Sequence, residues 1–204
     1  FAGRALVVVD ETYIDYAAAL SLIDAMETHA NLVILRTLSK SHAAAGVRLG
    51  TALARQDVTA LMGKVLAPYP IPQPVIQAAM AIMAPDNLKR LAVKREDMLG
   101  RRNVFANALQ TLDDVISVFP SDANYLLVKV ADADALCASA RESGIILRNQ
   151  SHQPGLAGCV RISIGSDDDM ARLLAFMKGE TLAACRNDRV ASKVRRTRET
   201  AISV

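Results

Sequence analysis

The hydrophobic pattern of the chain opens with two apolar runs, at residues 5–9 and 32–35, separated by a stretch with helical spacing. Both runs are continuous and rich in aliphatic side chains, which is typical of parallel strands covered on both faces. The stretch between them, residues 17–29, predicts a helix. A right-handed strand–helix–strand crossover brings the carboxyl ends of its strands to one edge of a sheet. We therefore expect Asp10 and Lys40, which follow the two strands, to face one crevice.

The pattern changes at a segment in which every second residue is proline. Before it, residues 46–54 predict a turn and a short strand, and residues 57–66 predict a helix. The segment APYPIPQP, residues 67–74, is expected to be extended, because each proline removes a donor and restrains the residue before it. It is a candidate domain boundary or active-site loop. Two helices, at 74–84 and 86–112, should follow, and the charged run of the second is interpreted as a solvated face.

Short runs after residue 113 predict a compact α+β layer. The expected strands and helices are, in chain order, strands at 115–119 and 125–130, a helix at 132–143, strands at 145–148 and 159–165, and a helix at 167–178. Ser166 precedes three aspartates, which predicts the N-cap and acidic first turn of the last helix.

These elements predict an α/β chain with two domains and a tail. Residues 1–73 are expected to form part of a large domain with a mostly parallel sheet, and 74–112 to form connecting helices. Residues 113–180 should form the small α+β domain, and 181–204 a basic tail.

Composition narrows the functional classes. The chain has 204 residues, of which 51% are hydrophobic and 22% charged, as expected for an ordered globular protein. Its net charge of +3 comes from residues 186–204, which hold six Lys/Arg and two acids, so the body gives no indication of nucleic-acid binding. The three cysteines form no CxxC motif and do not predict a disulfide framework or a metal site.

The chain contains neither a long apolar run nor a secretory signal, so we expect a cytoplasmic protein that does not enter a membrane. Phe1 leads almost directly into a strand, without a methionine or a polar lead-in. From this we expect a fragment of a longer protein.

Lys40 is the main candidate for chemistry. An amine at the carboxyl end of a strand, flanked by Thr37 and Ser39 and followed by Arg48, has what a Schiff-base site for a phosphorylated aldehyde requires. The lysine supplies the nucleophile, and the hydroxyls and guanidinium can hold the phosphate. The alternative interpretation is a lysine that extends along a loop edge into solvent.

Asp10 and Tyr13 could complete such a site. A carboxylate beside a pyridine nitrogen keeps that nitrogen protonated, which makes the ring an electron sink. Tyr13 could reach the ring hydroxyl. Alternatively, Asp10 is a turn cap and Tyr13 a packing residue.

Four segments together carry a resemblance to a known family. They are DETYIDYA at 10–17, LVILRTLSKSHAAAGVRLG at 32–50, APYPIPQP at 67–74 and GIILRNQSHQPGLAGCVRISIG at 144–165. In this order they resemble histidinol-phosphate aminotransferase, a fold type I pyridoxal phosphate enzyme of histidine biosynthesis. The resemblance covers about residues 5–178. It implies part of the large cofactor-binding domain followed by the small C-terminal domain.

The resemblance also implies roles for the candidate residues. Lys40 would form the Schiff base with pyridoxal 5'-phosphate and carry the proton, Asp10 would pair with the ring nitrogen, and Tyr13 with the ring oxygen. The cofactor phosphate would be held by the remaining polar residues of the loop, namely Thr37, Ser39 and Arg48.

Three further residues would serve the substrate and the partner subunit. Arg161 lies opposite the apolar positions of its strand and would bind the anionic group of histidinol phosphate or glutamate. Arg148 would contact the substrate phosphate, or alternatively form a surface ion pair. Tyr69 would reach the site of a second subunit, since the family forms homodimers with shared active sites.

The sequence departs from the family pattern at Ser41 and His42, which we interpret as tolerated loop residues. The family's N-terminal arm and its glycine-containing phosphate loop would lie upstream of Phe1. The alternatives are therefore a related pyridoxal phosphate enzyme, such as a decarboxylase of phosphorylated amino acids, or a non-catalytic fragment of the fold. The tail at 195–204 resembles the start of imidazoleglycerol-phosphate dehydratase, or alternatively is a disordered basic tail.

Overall fold

The computed structural model of the chain describes residues 1–180, 194–196 and 201–203. The first sheet contains β1 (Val7–Asp10), β2 (Leu32–Thr37) and β3 (Gly50–Leu53), in that order. β1 runs parallel to β2, with Asp10 opposite Leu35, as the apolar runs predict. β3 returns antiparallel to β2 and places Gly50 opposite Thr37. The carboxyl ends of β1 and β2 therefore lie at one edge of the sheet.

The predicted helix at 17–29 is wrong. The connection between β1 and β2 instead contains two short 3₁₀ helices, Ile14–Tyr16 and Ile23–Glu27. The cause lies at Glu11, a buried residue whose carboxylate accepts hydrogen bonds from the Leu22 amide at 2.7 Å and from the Ser21 hydroxyl at 2.8 Å. These bonds fix the connection in the middle of the expected helix, where a side-chain acceptor replaces helical hydrogen bonding.

Three α-helices follow the first sheet: α1 (Gln56–Gly63), α2 (Gln73–Ile82) and α3 (Pro85–Leu109). All three were predicted. Each of the last two has proline in its first turn, where the missing amide hydrogen has no helical partner to lose. The 25-residue α3 leads from the first sheet to the second.

The second sheet is antiparallel and has the order β4-β5-β7-β6. Its strands are β4 (Val115–Val118), β5 (Tyr125–Val130), β6 (Arg148–Asn149) and β7 (Cys159–Ser163). β6 begins three residues later than the sequence predicts. The Ile145 amide still bonds to Ala140 at 2.8 Å, and Gly144 has a φ of +73°, so the end of the preceding helix occupies the expected start.

Helices α4 (Ala133–Glu142) and α5 (Asp167–Met177) pack on this sheet. The predicted cap of α5 is confirmed. The Ser166 hydroxyl accepts from the Asp169 amide at 3.2 Å, and the Asp169 carboxylate accepts from the Ser166 amide at 2.9 Å. This reciprocal pair is a capping box, which satisfies donors that the first helical turn leaves unpaired.

Burial is uneven between the two sheets. The main core lies around the second sheet, where Leu109, Val128 and Val160 are fully buried. In the first sheet Ile34 is fully buried, but Val8 is 56% exposed, as is Leu6 just before β1. One face of β1 is therefore open to solvent.

Of the tail, the structure describes an antiparallel pair, β8 (Val194–Arg196) and β9 (Ala201–Ser203). The other residues of the predicted dehydratase-like segment lie outside the described residues. In the described part of the chain, no helix has both the length and the apolar character that crossing a membrane demands.

Candidate active site

Asp10 ends β1 with its side chain already held in place. The Thr12 amide donates to Asp10 Oδ1 at 2.9 Å, and the Thr12 hydroxyl donates to the same oxygen. The hydrogen bond from the Thr12 side chain, followed by the one from its backbone, lowers the pKa of Asp10. Asp10 is therefore an ionised carboxylate at neutral pH at the edge where β1 and β2 end.

Lys40 lies three residues beyond β2 and is half-buried. Its Nζ is 5.5 Å from the centroid of the Tyr13 ring, which lies on the turn after β1. The parallel pairing of β1 and β2 thus brings two of the predicted residues into contact. A cation at this distance from an aromatic face is attracted to it.

Thr37 and Ser39 form a small hydroxyl cluster in the same loop. The Ser39 amide donates to Thr37 Oγ1 at 3.1 Å, and the Thr37 hydroxyl lies 3.0 Å from that of Ser39. Both side chains are half-buried. Two hydroxyls next to a lysine are a donor set that suits a phosphate group.

Arg48 lies in the loop that returns to β3. Its backbone is left-handed, with φ +57° and ψ +40°, and its Nη1 donates to the Ala45 carbonyl at 3.0 Å. Leu49, the residue after Arg48, accepts a hydrogen bond at its carbonyl from the Leu38 amide at 3.3 Å. The loop that carries Arg48 is therefore hydrogen-bonded to the loop that carries the hydroxyl cluster, while the exposed guanidinium itself bonds within its own loop.

An aromatic contact joins the turn after β1 to the second sheet. The rings of Tyr13 and Tyr125 meet edge to face, with centroids 5.7 Å apart and planes at 86°. On Tyr125 lies the guanidinium of Arg161, its Cζ 5.2 Å from the ring centroid. Lys40, Tyr13, Tyr125 and Arg161 consequently form one continuous row across the two sheets.

Arg161 and Arg148 are directly opposite each other in the pairing of β7 with β6. Opposite residues of an antiparallel pair project from the same face, so two guanidiniums share this face. Arg161 Nε is buried and has no hydrogen-bond partner in the described chain. Two adjacent cations with an unused buried donor are a donor set that would suit an anion.

Tyr69 is exposed on the proline segment, whereas His42 belongs to a polar cluster. Tyr69 is 96% exposed in the proline segment and has a φ of +52°. It therefore projects from this chain into solvent. His42 Nδ1 is 3.0 Å from the Ser41 hydroxyl, and that hydroxyl donates to Asp15. His42 thus belongs to a local polar cluster in the loop after Lys40.

Sequence reasoning missed Glu11, Arg36 and Tyr125. Glu11 accepts a charge-assisted hydrogen bond from Arg36 Nη2 at 2.8 Å. Burial alone would raise the pKa of Glu11, but the bonds from Leu22, Ser21 and Arg36 together lower it. Nothing in the local pattern distinguishes Glu11 from a solvent-exposed acid, and Tyr125 resembles any strand residue.

Residues 2–177 match the family model for aminotransferases of class I and II. The chain belongs to this family. It is 41% identical over 176 residues to the histidinol-phosphate aminotransferase of Blochmanniella floridana. The matched region covers 86% of this chain and 49% of that protein. The chain thus spans about half the length of the histidinol-phosphate aminotransferases it matches.

Solved structures of the same fold include two with different reactions. The histidinol-phosphate aminotransferase of Sinorhizobium meliloti, in complex with pyridoxal-5'-phosphate, matches with 26% identity and a TM-score of 0.71 over 85% of this chain and 48% of that one. A decarboxylase from Sulfurospirillum multivorans matches with 26% identity and a TM-score of 0.76, over 85% and 47%. The fold is that of the fold type I aminotransferases, present in part, as the sequence predicts.

Family members use pyridoxal phosphate, and the donor set of this chain fits that group. Asp10 is an ionised acid suited to a protonated ring nitrogen, and Lys40 is an amine suited to an aldehyde. The bonded hydroxyls of Thr37 and Ser39 suit a phosphate. These groups lie at one edge of one sheet, as a single bound molecule would require.

Proposed function

We propose that this chain is the C-terminal portion of a histidinol-phosphate aminotransferase. The whole enzyme would transfer an amino group between histidinol phosphate and 2-oxoglutarate, giving imidazole acetol phosphate and glutamate. The observation that carries the proposal is the row from Lys40 through Tyr13 and Tyr125 to Arg161, which joins a candidate cofactor lysine to a candidate substrate arginine. The names of the relatives, which are histidinol-phosphate aminotransferases, support the same reaction.

Pyridoxal phosphate, when bound, supplies an electron sink for the negative charge that develops at the substrate α-carbon. Asp10 would hold the proton on the ring nitrogen, because its own pKa is lowered and it stays ionised. Tyr13 would donate to the ring oxygen. Thr37, Ser39 and Arg48 would anchor the phosphate and thereby fix the orientation of the ring.

Lys40 would carry the proton of the reaction. Its amine would move a proton between the substrate α-carbon and the C4′ atom of the cofactor. Tyr13 lies beneath this amine and restricts where the nitrogen can move. The proposal therefore requires no base other than Lys40.

Arg161 would bind the anionic group of each substrate in turn. A planar guanidinium can hold either a carboxylate or a phosphate through two parallel hydrogen bonds. Arg148, its neighbour across β6 and β7, would add charge when the group is a phosphate. One site could then accept both glutamate and histidinol phosphate.

The proposal is tested by covalent capture of the cofactor. The chain is incubated with pyridoxal phosphate, reduced with borohydride, digested and analysed by mass spectrometry. We expect attachment at Lys40 and its loss in Lys40→Ala, with Lys64→Ala, an exposed lysine at the end of α1, as the matched control. Attachment spread equally over both lysines would contradict the assignment. No attachment would favour the non-catalytic interpretation.

A decarboxylase is the second candidate, because a solved decarboxylase shares this fold. The cofactor residues would be the same in both reactions. The two are separated by product analysis of the full-length enzyme in two parallel assays, one with histidinol phosphate and 2-oxoglutarate and one with a phosphorylated amino acid such as threonine phosphate. Glutamate formation supports the aminotransferase, whereas release of carbon dioxide from a phosphorylated amino acid supports the decarboxylase.

A homodimer with shared sites forms part of the proposal. The exposed ring of Tyr69, on a proline-rich segment, would contact the other subunit. Light scattering of the full-length enzyme should give the molecular mass of a dimer. Tyr69→Ala should raise KM and leave that molecular mass nearly unchanged. An active monomer would exclude this role.

A further inference from the structure

Tyr125 occupies the point where the two sheets meet at the candidate site. It is the first residue of β5 and lies opposite Ser163 of β7. Its carbonyl accepts a hydrogen bond from the Ser121 hydroxyl at 2.5 Å. The backbone that carries the ring is therefore fixed from two sides.

The ring of Tyr125 is not part of the hydrophobic core. Successive strand residues face opposite sides of a sheet, and Leu126 and Val128, which are 2% and 0% exposed, point into the core. Tyr125 accordingly points to the other side, towards the candidate site. Packing of the core does not explain an aromatic side chain at this position.

Two contacts of the ring are instead with residues of the site. Its face lies under the Arg161 guanidinium, with Cζ 5.2 Å from the centroid, and it meets the Tyr13 ring edge to face at 5.7 Å. Both geometries are favourable for an aromatic ring. The same side chain thus touches the candidate substrate arginine and the candidate cofactor tyrosine.

Arg161 needs such a support. Its Nε has no hydrogen-bond partner within the described residues, and its neighbour across the strands, Arg148, carries the same charge. The contact that opposes this repulsion and orients the guanidinium is the one with the face of the Tyr125 ring. A guanidinium held in one plane loses less freedom when it binds an anion.

We infer that Tyr125 is a positioning residue: its ring holds Arg161 in the orientation that binds the substrate anion and couples it to Tyr13 on the cofactor side. This inference rests on the proposed function, since it takes Arg161 as the residue that binds the anionic group of the substrate. The ring provides the positioning, and the hydroxyl does not. Phenylalanine at this position is therefore sufficient, and leucine is not.

The first test is the Nε–H resonance of Arg161 in an NMR spectrum of the chain, assigned by its absence in Arg161→Lys. A proton above an aromatic face is shifted upfield by the ring current. The shift should persist in Tyr125→Phe and disappear in Tyr125→Leu. Phe119→Leu, which removes an aromatic ring at the end of β4, is the matched control and should leave the shift unchanged.

The second test is titration with glutarate, a dicarboxylate probe, monitored at the same resonance. Tyr125→Leu should weaken binding about threefold to tenfold, the effect of a cation–π contact. Tyr125→Phe and Phe119→Leu should bind as the wild type does. Borohydride-stable attachment of pyridoxal phosphate at Lys40 should persist in all three variants.

The outcomes separate the two claims. Equal glutarate affinity in Tyr125→Leu and wild type overturns the inference and leaves the proposed function standing. If glutarate does not shift the Arg161 resonance of the wild-type chain, the assigned role of Arg161 is overturned, and the inference with it. Loss of the ring-current shift together with weaker binding in the leucine variant alone supports positioning by Tyr125.

Discussion

Glu11 is a buried carboxylate that is hydrogen-bonded to two other segments of the chain. Its oxygens accept from Ser21 and Leu22 in the connection and from Arg36 in β2. The residue before it, Asp10, is the candidate partner of the cofactor ring. The path of the chain beside the candidate site therefore depends on an acid that takes no part in the proposed chemistry.

Acid should destabilise the fold through Glu11. Its pKa is lower in the folded chain than the ordinary value of 4.5, so its contribution is complete above pH 4.5 and is lost as pH falls through the lower folded value. Glu11→Gln should cost about 1–3 kcal/mol at pH 7 and reduce the loss of stability between pH 5 and pH 3. Urea unfolding at several pH values measures both effects.

Glu142→Gln is the matched control, since Glu142 is exposed at the end of α4. It should change neither the stability nor its pH dependence. If the two variants gave the same profile, Glu11 would not be the source of the acid sensitivity.

The elements were largely predictable where pattern and local chemistry agree. The apolar runs at 32–35 and 125–130 form strands, and Ser166 is the N-cap of a helix. The helix expected at 17–29 failed because long-range hydrogen bonds to Glu11 override helical spacing. Periodicity describes which face is apolar, but it carries no information about a distant acceptor.

The cap of α5 should contribute measurably to stability. Ser166→Ala removes the hydroxyl that accepts from the Asp169 amide, and should cost about 1 kcal/mol in the free energy of unfolding. Ser163→Ala, an exposed serine in β7, is the comparison and should cost much less. Denaturant titration of both variants measures the difference, and equal costs would show that the cap is not a significant source of stability.

At the scale of the whole molecule, the two sheets differ in how completely they are covered. The second sheet and its helices enclose the main core, whereas most of the large apolar side chains that remain exposed lie before residue 105. The meeting of Tyr13 with Tyr125 could not be predicted from periodicity, because it depends on how α3 sets one sheet against the other. The sequence could place Lys40 and Arg161 at one site only through the resemblance of its motifs.

This difference should appear in hydrogen exchange. Backbone amides of β5 and β7 lie in the covered sheet and should exchange far more slowly than those of β1, whose Val8 is half exposed. Exchange measured by mass spectrometry on peptides from the two regions tests the expectation. Similar protection of β1 and β5 would indicate that the chain unfolds as one cooperative unit.

Arg48 carries a consequence for engineering. Its left-handed backbone, with φ +57°, is a conformation that glycine adopts without steric cost and that other residues adopt at about 1 kcal/mol. Arg48→Gly should therefore have a higher unfolding free energy than Arg48→Ala, by less than that amount because glycine also raises the entropy of the unfolded chain, while both variants should weaken retention of pyridoxal phosphate. Thermal unfolding and cofactor titration of the two variants test this. A screen for thermostability alone would select against the arginine, so such a screen should retain ligand binding as a second criterion.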